Sequence, residues 1–140
     1  MGQSFKDLVV WQRAIQLTLA VYQLTAKFPV DERFGLTNQM RRAAVSIASN
    51  IAEGYGRSTK GEYLLFLGHA PGSCSELETQ IVIARGLHFG AGPSLESASR
   101  LCDDVGRLLG GLMKSLHRRG AQLPSPSVPL SLVPSITLEP

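Results

Sequence analysis

Between Lys6 and Phe28, Leu8, Trp11, Ile15, Leu19, Tyr22 and Ala26 recur three or four residues apart, and Val10, Leu17, Val21 and Leu24 form a second apolar stripe beside them. This spacing predicts a helix with a wide apolar face, leaving only a narrow polar strip with Gln12, Arg13, Gln16 and Gln23. Such a helix must be covered on more than one side. Pro29 is expected to stop it, because proline disfavours helical geometry in the residue before it. A second helix is predicted from Leu36 to Glu53, with Leu36, Met40, Ala43, Ala44, Ile47 and Ile51 on one face and Gly54 just past its end. Thr59 and Glu62 then make a capping-box pattern that opens a third. Its seam of Tyr63, Leu67, Ala70, Cys74, Leu77, Ile81, Ala84 and His88 alternates at four and three. Pro71 and Gly72 interrupt that seam, and since an interior proline costs about 3 kcal/mol, a kink is expected there. After "FGAGPS", Ser94 is expected to cap a fourth helix through Leu95, Ala98, Leu101, Cys102, Val105, Leu108, Leu112 and Leu116, ending near Arg119 with Gly120 as its stop.

Four helices, no strand pattern and short connections predict an all-α fold, an antiparallel up-down four-helix bundle over residues 1–120. Residues 121–140 hold five of the chain's eight prolines with almost no charge, the pattern of an extended, mobile tail. Composition refines this picture only a little. An apolar share of 44% over 140 residues is enough for one core. A formal charge of +3 permits a nucleic-acid or acidic partner without demanding one. Cys74 and Cys102 fall among apolar residues at helical spacing, which reads as buried reduced thiols in a cytoplasmic protein. Charge and Gln scattered through "MGQSFKDLVVWQRAIQ" fit neither a signal peptide nor a membrane span.

Candidate chemistry centres on helix two. At 100° per residue, Asn38, Gln39, Arg42, Ser46, Ser49, Asn50 and Glu53 share one sector. They either satisfy neighbouring helix ends and each other, or form a polar recognition face. A third sector holds Ala44, Val45, Ala48 and Ala52 with Arg41 among them, small side chains that let another helix come close. Nothing here reads as an enzyme: no G-x-S-x-G surrounds Ser46 or Ser49, and "EGYGRSTKGE" is not a phosphate loop. No His has a Glu three residues before it, so the inward-facing metal pairs of some bundles are not expected, nor any cofactor. Basic residues gather as Arg41, Arg42, Arg57 and Lys60, read as surrounding the corner between helices two and three, and as Arg107, Lys114, His117, Arg118 and Arg119 late in helix four. The second group also complements a helix dipole. Together they point to RNA or DNA phosphates, with Tyr55 as a stacking ring.

The segments "FKDLVVWQRAIQLTLAVYQLTAKFP", "GLTNQMRRAAVSIASNIAEGYGR" and "FLGHAPGSCSELETQI" resemble, in order and spacing, the four-helix-bundle proteins of bacterial 23S ribosomal RNA intervening sequences. The likeness runs from Phe5 to Leu116. Its motif positions here are Gln39, Arg42, Ser46, Asn50, Glu53, Gly54, Gly56 and Arg57, then Gly72, Ser73, Glu76 and Glu78. The resemblance implies a bundle assembled into a ring-like homopentamer. The family is also similar to the accessory protein of diversity-generating retroelements, which binds nucleic acid and a reverse transcriptase. The family tends to carry Pro where this chain has Ala48, and a basic residue where it has Pro71. The expected function is therefore a non-enzymatic, oligomeric nucleic-acid-binding accessory protein. In it Arg41, Arg42, Arg57, Lys60, Lys114, Arg118 and Arg119 contact phosphates, beside a polar face of Gln39, Ser46, Asn50, Glu53 and Gly54. The alternative is a protein-interaction scaffold whose partners include a reverse transcriptase or another element-encoded protein.

Overall fold

The computed structural model describes residues 4–90 and 92–118. Within them the chain is all helical, with no strand. A single 3-10 turn at Phe5–Asp7 leads into α1 (Val9–Thr25), and another at Val30–Glu32 leads into α2 (Leu36–Tyr55). Then follow α3 (Lys60–Leu67), α4 (His69–Gly86) and α5 (Pro93–Arg118). Because α3 and α4 are separated by Gly68 alone, the five helices make the four legs of a bundle. α1 packs against α2 and α5, and α4 packs against α2 and α5, closing the cycle around one core. The expected tail, residues 121–140, lies outside the described residues.

Burial decides between the two stripes of α1. The core takes Val10, Ala14, Leu17, Val21 and Leu24, the stripe read second, together with Leu8. Trp11 and Ile15 are half-buried, while Leu19 and Tyr22 are 59% and 42% exposed. Periodicity found both stripes and could not rank them. On α2 the expected face of Met40, Ala43, Ala44, Ile47 and Ile51 is buried, and Ala44 and Ala48 of the small-residue sector are buried too. The Thr18 hydroxyl donates to the Ala44 carbonyl at 3.3 Å, so α1 already covers part of that sector. Every seam residue of the third leg from Tyr63 to Ala84 is buried.

Three boundaries differ from expectation, each for a local reason. The third leg breaks at Gly68, not at Pro71. A proline ring clashes with the carbonyl four residues earlier, here that of Leu67, the last residue of α3; the break there leaves Pro71 in the first turn of α4, where a missing N–H costs nothing. α2 continues through Gly54 to Tyr55 and is capped by Gly56. Ser94 lies inside α5: Pro93 opens the helix with its fixed φ, while the Ser94 hydroxyl accepts from the Lys27 ammonium at 2.9 Å.

The turns are built from specific side chains. Thr59 accepts from the Glu62 amide at 3.1 Å, the forward half of the expected capping box. At the end of α4 the Phe89 amide donates to Ala84 and the His88 amide to Arg85, with His88 in the left-handed region at φ 60°. This is a Schellman stop with histidine where glycine is usual. Phe89 then packs on Phe28 with ring centroids 5.5 Å apart, tying this turn to the end of α1.

Candidate functional site

Of the polar sector of α2, Ser46 and Asn50 are half-buried toward α4, and Ser46 meets Ser73 of the second motif. The hydroxyls of Ser46 and Ser73 are 3.0 Å apart. The Asn50 amide donates to the Ser46 carbonyl at 2.8 Å and to its hydroxyl at 3.1 Å. Two sequence segments 27 residues apart are thus joined by one hydrogen-bonded cluster, half-buried between α2 and α4. Gln39 and Glu53 stay exposed, and Glu53 pairs with Arg57 one turn on. Gly54 belongs to the packing. A Cβ there would lie 3.0 Å from the Tyr63 carbonyl and 3.3 Å from the Leu67 amide, so its absence lets α3 rest on α2. Gln80 on α4 is buried, whereas Glu62, His69 and Glu76 are exposed.

The basic residues divide differently from their order in the chain. Arg41 and Arg42 lie in the first half of α2, about 15 residues and hence roughly 22 Å of helix rise from Arg57. They are not part of the corner with Arg57 and Lys60. Arg41 is a packing residue: its Nε donates to Thr25 at 2.8 Å and its guanidinium lies 4.5 Å from the Tyr22 ring centre. Arg42, Lys114 and Arg118 are exposed and Lys60 half-exposed, and none of the four pairs with a carboxylate among the described residues. Arg107, by contrast, is paired with Asp104. Arg119 lies outside the described residues.

At the α2–α3 corner the side chains form a graded aromatic and cationic surface. The Arg57 guanidinium stacks 4.1 Å above the Phe66 ring, and Phe66 meets His69 edge to face. Tyr55 and Tyr63 are also edge to face, with Tyr63 deeper. Burial pushes the Tyr63 hydroxyl well above the usual tyrosine range, and it has no described hydrogen-bond partner. Phe5 is the residue that sequence reasoning missed. It is held edge to face by Trp11 at 5.3 Å and closes one side of an open cleft against Ser49, Ala52, Glu53, Gly56 and Arg57. The readable signal was Ser4 and Asp7, a capping box whose Ser4 hydroxyl accepts from the Lys6 amide and whose Asp7 accepts from the Ser4 amide.

Elsewhere the chemistry is quiet. Cys74 and Cys102 are buried side by side between α4 and α5, the Cys102 thiol donating to the Cys74 carbonyl at 3.7 Å. Burial first, then the nearby Glu78, pushes Cys74 up to about 11; burial, then Cys74, Glu78 and Asp103, pushes Cys102 up to about 12. Thiols held protonated at neutral pH are poor nucleophiles. No group of three or more His, Cys, Asp or Glu among the described residues is arranged to hold a metal ion, and no described helix is long and apolar enough to cross a membrane.

A comparison with curated proteins finds no match. The family model of the 23S rRNA-intervening sequence proteins matches residues 6–111. The chain belongs to that family.

Proposed function

We propose, from membership in this family, that the protein is a non-enzymatic RNA-binding accessory factor. Its phosphate contacts lie at the end of the bundle where α3 meets the last turns of α5. The observation that carries this reading is the group of Lys60, Lys114 and Arg118, cations that pair with no described carboxylate. Cys102 meets Cys74 and Arg85 meets Glu96, pairings that run in opposite senses along α4 and α5 and bring the end of α5 toward α3. This supports an up-down order of the legs, with Lys114 and Arg118 at the same end as Arg57 and Lys60. The family's name, with its ribosomal RNA, favours RNA over DNA. The exposed apolar stripe of α1 supports a homo-oligomer, a pentamer by the resemblance, and an element-encoded protein such as a reverse transcriptase is a further candidate partner.

The test is an anisotropy titration of the whole chain against structured RNA over a range of salt concentrations. Log affinity should fall linearly with log salt, and each lost phosphate contact should reduce the slope by about one. Lys60→Glu, Lys114→Glu and Arg118→Glu together should weaken binding by at least about tenfold and flatten the slope. Arg41→Ala should lower the melting temperature and leave the slope alone, because Arg41 is held by Thr25 and Tyr22. Affinity unchanged in the triple variant would overturn the reading.

A further inference from the structure

We infer that the cleft between Phe5 and the last turn of α2 is a nucleobase site that selects guanine in an unpaired stretch of RNA. The inference rests on the RNA-binding reading above and adds a base preference to it. The cleft is open to solvent and is lined by Phe5, Ser49, Ala52, Glu53, Gly56 and Arg57.

Three features fit a base better than a phosphate. The first is Phe5, an aromatic wall braced by Trp11, since unpaired bases are held by stacking on such rings. The second is Glu53, whose carboxylate repels phosphate and, when ionised, only accepts hydrogen bonds. The third is Arg57, whose guanidinium is paired with Glu53 and stacks on Phe66, which keeps a cationic donor beside the carboxylate. Once their mutual bond opens, the carboxylate offers two acceptors and the guanidinium a donor beside them. The Watson–Crick edge of guanine carries the complementary row: an acceptor at O6, then donors at N1 and N2. Cytosine presents the same row to guanine in a base pair. Uracil would set an acceptor against a carboxylate oxygen, and adenine its unprotonated N1. The ion pair is exposed to solvent, so it can open by a fraction of an ångström to admit the base edge at little cost.

The experiment uses the whole chain and fluorescent single-stranded oligouridine carrying one central guanosine, inosine, adenosine or no substitution. The guanosine strand should bind at least about fivefold tighter than the all-uridine strand, and inosine, which lacks the N2 amino group, should lose most of that gain. In Glu53→Gln the preference should disappear while binding of all four strands is kept. In Phe5→Ala all four should weaken together. Guanosine monophosphate, titrated alone, should bind much more weakly than the strand. Equal affinity would assign the cleft to free nucleotides and overturn the strand reading. Binding without base preference, or a preference that survives Glu53→Gln, overturns the guanine site and leaves the RNA reading standing. If no strand and no structured RNA binds, both fall.

Discussion

In Glu53-Gly54-Tyr55-Gly56 two glycines serve different ends. Gly54 is the one the sequence marks as ending the helix, yet Gly56 is the cap, and a Cβ added there would meet nothing closer than 3.7 Å. Gly54 is a contact residue, since two of the three nearest atoms to its missing Cβ belong to the backbone of α3 and cannot swing aside. The sign of a substitution distinguishes the roles. Were Gly54 only a weak helix residue, Gly54→Ala would stabilise by up to about 1 kcal/mol. If it is the point where α3 rests on α2, overpacking should destabilise by roughly 1–3 kcal/mol. We expect the loss, with Gly56→Ala within about 0.5 kcal/mol of wild type; urea unfolding of both variants decides it. The difference was not legible in the sequence, because closeness between α2 and α3 is a property of the turn that joins them.

Helix content and the buried seams were largely legible, since periodicity reports which residues share a face. What it leaves out is which neighbour arrives. The two stripes of α1 carry similar apolar residues, yet Leu17, Val21 and Leu24 meet the other legs while Leu19 and Tyr22 look outward. Likewise the sequence groups Arg41 with Arg57, and the rise of α2 separates them. Pro71 was legible as a breaker and misplaced by one turn, because its ring acts on the carbonyl four residues back. That displacement yields a prediction at this scale. A proline inside a helix costs about 3 kcal/mol, so replacing one should recover much of that. Pro71 is in the first turn of α4, where no hydrogen bond is missing, so Pro71→Ala should change stability by less than about 1 kcal/mol. Thermal unfolding measures it, and a gain near 3 kcal/mol would mean that the third leg is strained at Pro71 after all.

For the molecule as a whole, the question is what covers the outer stripe. Leu19 and Tyr22 on α1 and Val45 on α2 are exposed, and they border one another, since Thr18 bonds to Ala44 and Arg41 lies over Tyr22. An apolar surface along two adjacent helices suits a repeated contact between copies of the chain. Leu19→Glu with Val45→Glu should therefore reduce the proposed homo-oligomer to monomers in sedimentation velocity. The helical signal should persist, because neither side chain is part of the core. The same variant bears on RNA. An assembly repeats the basic end of each bundle, so one RNA can engage several copies, and affinity gained through linkage is lost when the copies separate. The double variant should then bind structured RNA at least about tenfold more weakly with a shallower salt dependence, although it alters no cation. Loss of assembly with unchanged affinity would mean that one subunit holds the whole RNA site, and an unchanged sedimentation coefficient would move the contact to another face.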